Sequence, residues 1–383
     1  MTQFYSPRSG GVKRYLHEKI ADIERPESDD EHVLIVPGAR TEVTNGKHSR
    51  VYSIRSPLLS RSTQYRALLN LGAMEEIIAR ERPDIIESSD PYQVGWRAAR
   101  IGRRLRIPVV AYYHSHFSQA YLRGPAARLG KRGGALALRA AEAYTRALYN
   151  RFETTLVPSA KLAAVLRGWG VIDAEPMPLG VNVENFRLGD DRAATRTRLG
   201  IPPGRTLLLY VGRLAPEKNT RTLFAAFNLV AERRAREFHL LVIGDGQERA
   251  ELQTLAAKTR RVTWQPYCED ATELAQLYRA ADLFVHPGIE ETFGLVALES
   301  QACGTPIVGI RGSYMDDVIL HTQEAWTGTN SASALAHAIE AMSALDLPAL
   351  GAAASARVRE EYAWPHVFER LFSVYRRVVS DYN

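Results

Sequence analysis

Short apolar runs, each about as long as one β-strand, recur along this chain between stretches of helical pattern, and that alternation restricts the fold more than any other feature. In the first half the runs are His32-Val-Leu-Ile-Val-Pro37, Asp84-Ile-Ile-Glu87, Pro108-Val-Val-Ala-Tyr-Tyr113 and Thr155-Leu-Val-Pro158. In the second half they are Thr206-Leu-Leu-Leu-Tyr-Val211, His239-Leu-Leu-Val-Ile243, Val262-Thr-Trp264, Leu283-Phe-Val-His286 and Pro306-Ile-Val-Gly-Ile310. Segments rich in helix formers, such as Thr222 to Arg233 and Arg249 to Thr259, lie between them. Strand, helix, strand in steady succession predicts parallel sheets with crossover helices, an α/β class.

At 383 residues the chain is too long for one ordinary domain and suits two doubly wound, Rossmann-like domains. The expected first domain covers 1–190 and the second 191–365, the boundary falling near Phe186 to Arg205, where a charged stretch leads to Pro202-Pro-Gly204. A second crossing falls at Tyr362-Ala-Trp-Pro365, after which His366 to Ser380 reads as a helix with Val367, Leu371, Val374 and Val378 on one face. One irregularity sits at the start. Only Thr2 to Tyr5 precede Ser6-Pro-Arg-Ser-Gly-Gly11, which is short for a strand.

The chemistry concentrates in two segments. Glu291-Thr-Phe-Gly-Leu-Val-Ala-Leu-Glu299 follows a strand that ends at Pro287-Gly288 and opens a helix at about Leu295. Glu291 therefore belongs to a strand-to-helix loop and Glu299 to the helix, while the amides around Phe293 and Gly294 are the open donors of a helix N-terminus. Upstream, Tyr210-Val-Gly-Arg-Leu-Ala-Pro-Glu-Lys-Asn219 carries Arg213 and Lys218 on either side of Pro216, a loop that lets both cations converge on one phosphate pair. Taken alone, either segment reads more often as surface charge.

Together, in this order, they resemble the retaining, GT-B-fold glycosyltransferases of family 4, and the resemblance runs over nearly the whole chain. It implies two Rossmann-like domains facing a cleft, with the terminal helix at 366–383 packing back on the first. It also implies that a hexose moves from a nucleotide diphosphate sugar to a hydroxyl acceptor by front-face attack, with no enzymatic nucleophile. Arg213 and Lys218 would hold the diphosphate, Glu291 the sugar hydroxyls and Glu299 the ribose. Gly10 and Gly11, in Ser9-Gly-Gly-Val-Lys-Arg-Tyr15, would close over the diphosphate, and Gly212, Gly244, Phe293, Gly294 and Leu295 would complete the donor contacts. His114, just after a strand, is placed against the donor sugar, and Asp90 and Tyr15 are candidates for the acceptor side. In the same family, the opening Ser-Gly-Gly turn usually follows a full buried strand.

The expected co-substrate is GDP-mannose or a UDP-sugar, with no cofactor, because the sequence offers neither an Asp-x-Asp pair nor a His/Cys cluster for a metal. Gly244-Asp-Gly-Gln-Glu248 lacks the third glycine of a dinucleotide fingerprint, which argues against a dehydrogenase. An epimerase of the same fold and a non-catalytic sugar-nucleotide-binding homologue are the alternatives. Cys268 and Cys303 have no redox or metal spacing, and no apolar run approaches a membrane span, so the expected compartment is the cytoplasm. The +6 net charge is unevenly spread: eleven Arg and Lys131 against Glu142 lie between Arg97 and Arg151, interleaved with Leu and Tyr. That mixture fits the anionic inner face of a membrane better than nucleic acid, and a lipid-linked acceptor would follow.

Overall fold

The computed structural model describes residues 1–5, 11–59, 64–114, 130–234, 237–289, 291–312, 314–320 and 326–382. The chain forms two compact units, one of Met1–Leu179 with Trp364–Asn383, the other of Gly180–Ala363. Both divisions fall earlier than the composition shift suggests. Residues 180–190 belong to the second unit because Val181 donates its N–H to the Tyr362 carbonyl at 2.8 Å and Phe186 packs edge-on against Tyr278.

The first unit runs α1 (Gly11–Ile23), β1 (His32–Gly38), β2 (Glu42–Asn45), β3 (Ser49–Arg55), α2 (Leu71–Glu81), β4 (Ile86–Ser88), α3 (Gln93–Leu105), β5 (Val109–Tyr112), α4 (Gly130–Tyr149), β6 (Thr154–Val157), α5 (Ala160–Gly168) and β7 (Ala174–Pro176). Its strands make two sheets, β1-β3-β2 and the all-parallel β4-β5-β6-β7. The strand expected at Thr2–Tyr5 is not formed. Instead, Thr2 donates its N–H to Ile35 of β1, while Met1 hydrogen-bonds both Glu87 of β4 and the Ser89 amide just after it. The C-terminal helix, Trp364–Tyr382, returns to this unit and buries Val367, Leu371, Val374 and Val378 together with Trp364 and Phe368.

A charged pair sits in that core. Lys19 of α1, 3% exposed, places its ammonium 2.8 Å from Glu87 Oε2 and 2.8 Å from the Tyr375 hydroxyl of the C-terminal helix. Tyr15 and Tyr375 both donate to the same carboxylate. Burial alone would raise the pKa of Glu87, but the Lys19 ammonium and the N-terminal amine hold it far below the ordinary carboxylate range.

The second unit runs β8 (Thr206–Val211), β9 (Phe238–Ile243), β10 (Val262–Gln265), β11 (Leu283–His286), β12 (Ile307–Ile310) and β13 (Trp326–Thr327), with helices α6 (Arg192–Arg198), α7 (Thr220–Arg233), α8 (Arg249–Thr259), α9 (Ala271–Ala280), α10 (Leu295–Ala302), α11 (Ala332–Met342) and α12 (Leu347–Tyr362) between or after them. The strands pair in parallel in the order β10-β9-β8-β11-β12-β13. Leu207, Leu208 and Leu209 on β8 are fully buried at its centre. The winding reverses between β8 and β11, and in such sheets the carboxyl ends at that reversal form a crevice for ligands.

Removing one partner of a buried ion pair leaves the other uncompensated, at a cost of about 3–5 kcal/mol. Lys19→Met is therefore expected to destabilise the first unit by about that amount in denaturant titrations, and to do so much less when combined with Glu87→Leu.

Candidate active site

β8 and β11 deliver their following loops side by side at the reversal point. After β8 the chain passes Gly212 and Arg213, makes one short 3-10 turn at Pro216–Lys218, and enters α7 through Asn219, whose φ is +57°. This loop is clamped from below. A Cβ at Gly244, just past β9, would stand 1.9 Å from the Gly212 carbonyl oxygen, so the two strand-end turns lie backbone to backbone and only glycine fits. Leu214 donates its N–H to Asp245 at 3.0 Å and accepts from the Glu248 amide at 3.1 Å. Glu248, 1% exposed, accepts from the Thr220 hydroxyl and pairs with Arg221 at 3.1 Å, fixing the far end of the loop.

The loop after β11 meets it. Asn219 Nδ2 donates to the Pro287 carbonyl at 2.8 Å, and Lys218 pairs with Glu291 Oε2. His286, 4% exposed, lies with Nε2 3.8 Å from that same oxygen. Burial would raise the pKa of Glu291, yet the Lys218 ammonium, with Arg213 adding to it, brings it below its ordinary value. The His286 imidazole is pushed down to about 4 by its burial, which the Glu291 charge only partly opposes. Neutral histidine, carboxylate and ammonium thus share one corner.

Gly294 opens α10 at φ +85°, where a Cβ would come 2.7 Å from Met315 Sδ, and no side chain caps the helix. Its first-turn amides are therefore available to an anion. Phe293 is buried and Leu295 half-buried beside it. Arg213 is mostly exposed and pairs with Glu217 at 3.0 Å. Glu299, on the second turn of α10, is 1% exposed and accepts from the Tyr278 hydroxyl at 2.9 Å. Among the described residues, no cluster of three or more His, Cys, Asp or Glu could hold a metal.

In the first unit, His114 follows β5 with its ring stacked on Tyr112 at 4.1 Å and Nε2 3.1 Å from Ser89 Oγ. Burial pushes its pKa down to about 4, so it is neutral near pH 7. Asp90 is 2% exposed and accepts from the Tyr92 amide, the bond of an Asp-Pro corner, and from the distant Gln3 amide, which ties the start of the chain to that corner. Burial raises its pKa to about 6. Tyr15 is a correction to the sequence expectation: fully buried, with its hydroxyl committed to Glu87, it offers no face to an acceptor. Gly11 is the first residue of α1, and Gly10 lies outside the described residues. Of the basic residues, Arg97 and Arg104 on α3 pair with Glu75 of α2.

The sequence profile of glycosyl transferases group 1 matches residues 191–357, and that of glycosyltransferase family 4 matches 9–185. A GDP-mannose-dependent alpha-(1-6)-phosphatidylinositol dimannoside mannosyltransferase of Mycobacterium tuberculosis is 30% identical over 341 residues, 88% of this chain and 85% of that protein. The chain belongs to the family 4, group 1 glycosyltransferases. A GDP-mannose-dependent alpha-mannosyltransferase of Corynebacterium glutamicum is also 30% identical, over 75% of this chain, which spans 66% of that relative. Sucrose-phosphate synthase from Thermosynechococcus elongatus superposes with a TM-score of 0.75 at 22% identity, covering 97% of this chain and 94% of its own. The fold is GT-B.

Three residues of this glycosyltransferase's second unit hold positions that the motifs did not reveal. His286 was visible as the last residue of a strand, the position from which doubly wound sheets reach ligands. Asn219 left a fainter trace, as a residue type that tolerates the left-handed region at a helix start. Glu248 left none, because its burial depends on α7 and the turn after β9 coming together. The depressed His286 pKa has a sign: the unfolded state binds the proton more readily, so stability is present above about pH 6.5 and is lost toward pH 4. His286→Phe is expected to flatten that loss by about 3 kcal/mol at pH 4 in urea titrations run from pH 6.5 downward, and an unchanged slope would contradict the assignment.

Proposed function

We propose that this glycosyltransferase transfers mannose, with retention and without a metal, from GDP-mannose to a hydroxyl acceptor on a lipid at the cytoplasmic face of a membrane. The observation that carries the reading is the Lys218–Glu291 pair at the reversal point of the donor sheet, beside an uncapped helix N-terminus. An incoming diphosphate competes with Glu291 for the ammonium, and the freed carboxylate turns to the hydroxyls of the sugar. Arg213, on the rim of the same loop, adds a second cation, so negative charge that builds on the leaving group in the transition state meets donors already in place. No side chain is needed as nucleophile when the departing phosphate takes the acceptor proton. The choice of mannose rests on two relatives named as GDP-mannose-dependent.

The lipid acceptor rests on α4. Arg132, Leu136, Arg139, Ala143 and Arg146 are all exposed and follow one another at helical spacing, so three guanidinium groups and a leucine form one stripe. Leu136 is 70% exposed. Such a face lies on an anionic surface with its leucine in the headgroup layer. No helix among the described residues is long and apolar enough to cross a membrane.

With GDP-mannose and a lipid acceptor in EDTA, product is expected to form in the α configuration, and Arg213→Ala and Lys218→Ala should each lower turnover by about 100-fold or more. An inverted linkage, loss of activity on chelation, or normal turnover in both variants would overturn the reading. The α4 stripe predicts sedimentation with vesicles rich in phosphatidylserine at low salt, at about 1 kcal/mol per basic residue, and release near 1 M salt, where the screening length is ~3 Å. Reversing Arg132, Arg139 and Arg146 to Glu should abolish it; sedimentation that ignores both changes would leave the stripe a solvated face.

A further inference from the structure

Three groups meet where the loops after β8 and β11 touch, and they differ in what a ligand can reach. The Lys218 side chain is 28% exposed and that of Glu291 20%, whereas that of His286 is 5% exposed. An anion arriving from solvent can therefore draw the ammonium away, but it cannot displace the imidazole. We propose that His286 is a positioning residue: when the diphosphate takes Lys218, His286 takes over Glu291 Oε2 through its Nε2–H and fixes the carboxylate for the sugar. The proposal rests on the assignment of Lys218 to the diphosphate and Glu291 to the hexose.

The geometry is set for such an exchange. Lys218 Nζ pairs with Oε2, and His286 Nε2 stands 3.8 Å from that same oxygen, too far for a hydrogen bond while the ammonium holds it. Among the described residues, these two side chains are the ones within ion-pair range of Glu291. Loss of Lys218 with no replacement would leave a mostly buried carboxylate uncompensated, which is costly. A closing movement of roughly 1 Å brings Oε2 to the length of a charge-assisted N–H···O bond, and the other carboxylate oxygen is then left for a sugar hydroxyl.

Glu291 has to make that movement, because His286 is held from several sides. β11 is buried over its whole length, and His286 is paired with Gly309 of β12. The next carbonyl, that of Pro287, accepts from Asn219 Nδ2 at 2.8 Å. Gly288 lies against the ring, where a Cβ would stand 2.8 Å from His286 Cε1, so a side chain there would push the imidazole off its place. Nδ1 is buried without a hydrogen bond, which leaves Nε2 as the ring nitrogen with an acceptor in front of it. A ring proton facing a carboxylate is favoured over a lone pair facing it, so the site selects the tautomer that donates to Glu291.

The direct test is an NMR titration of the histidine rings in the full chain, with His286→Phe identifying the signal. Among the described residues, the charged groups facing the imidazole are Glu291 and Lys218. Lys218→Met removes the ammonium and leaves the carboxylate, so the His286 pKa is expected to rise from about 4 to about 5 or higher. Inorganic pyrophosphate added to the wild-type chain should move it in the same direction. Turnover with GDP-mannose supplies the second arm: His286→Phe should lower kcat by about 10- to 100-fold, the worth of a hydrogen bond to a charged group, while the Kd for GDP changes by less than about twofold. His286→Gln, whose amide reaches the place of Nε2, should recover most of the loss, and in a Glu291→Gln background His286→Phe should cost little more. The proposal is overturned if the His286 pKa does not rise in Lys218→Met, if His286→Phe and His286→Gln are equally impaired, or if the losses multiply in the double variant. Normal turnover of Glu291→Gln would instead remove the hexose assignment, and the Lys218→Met titration would still decide the exchange.

Discussion

A carbonyl oxygen resting where a side chain would otherwise begin is the constraint on which the loops of the second unit depend. Because Gly244 has no Cβ, the Gly212 carbonyl can settle against it, and the turns after β8 and β9 become a single layer of backbone. The Arg213–Lys218 loop is built on that layer, Asn219 carries it across to Pro287, and the Lys218–Glu291 pair forms where the two loops meet. Each contact is local, but none has the right geometry unless the first one does. Preorganised charge of this kind is effective because it is held by structure that does not have to move when charge develops.

The two units use buried charge differently. In the first, Lys19 and Glu87 face each other inside the core, with tyrosine hydroxyls completing their shells, and the arrangement ties α1, β4 and the C-terminal helix together. In the second, charge gathers in the loops at the strand ends, where Lys218 and Glu291 keep part of their surface open. A pair sealed in a core contributes order and cannot exchange partners. A pair at a loop edge can be pulled apart by a ligand that offers either member a better contact.

The strands that proved readable, β8, β9, β11 and β12 above all, are those buried over all or nearly all of their length, so that hydrophobicity alone outlines them. β2 escaped notice because Glu42–Asn45 is exposed along its whole length, and β13 because two residues carry no period. Tyr15 shows the opposite failure. Its place one turn into α1 suited a residue near a ligand, but the inward direction of its ring is set by Tyr112, Phe368 and Glu87, which come from distant parts of the chain. Lys218 and Glu291 could be assigned to one site on paper because motif order supplied what distance along the chain, 73 residues, conceals, but their ion pair could not. No such order exists for Glu248 or His286.

The return of the C-terminal helix also has a temporal side. On a ribosome, Lys19 and Glu87 emerge early, while Tyr375, which completes their cluster, follows only after the whole second unit. All of Gly180–Ala363 is synthesised in the interval, about 10–40 s at ordinary elongation rates. The second unit is contiguous and can finish folding while still tethered; the first must wait with an open flank until the helix at Trp364–Tyr382 has emerged. Nascent chains of this protein are therefore most exposed to chaperones and proteases in the part that was translated first.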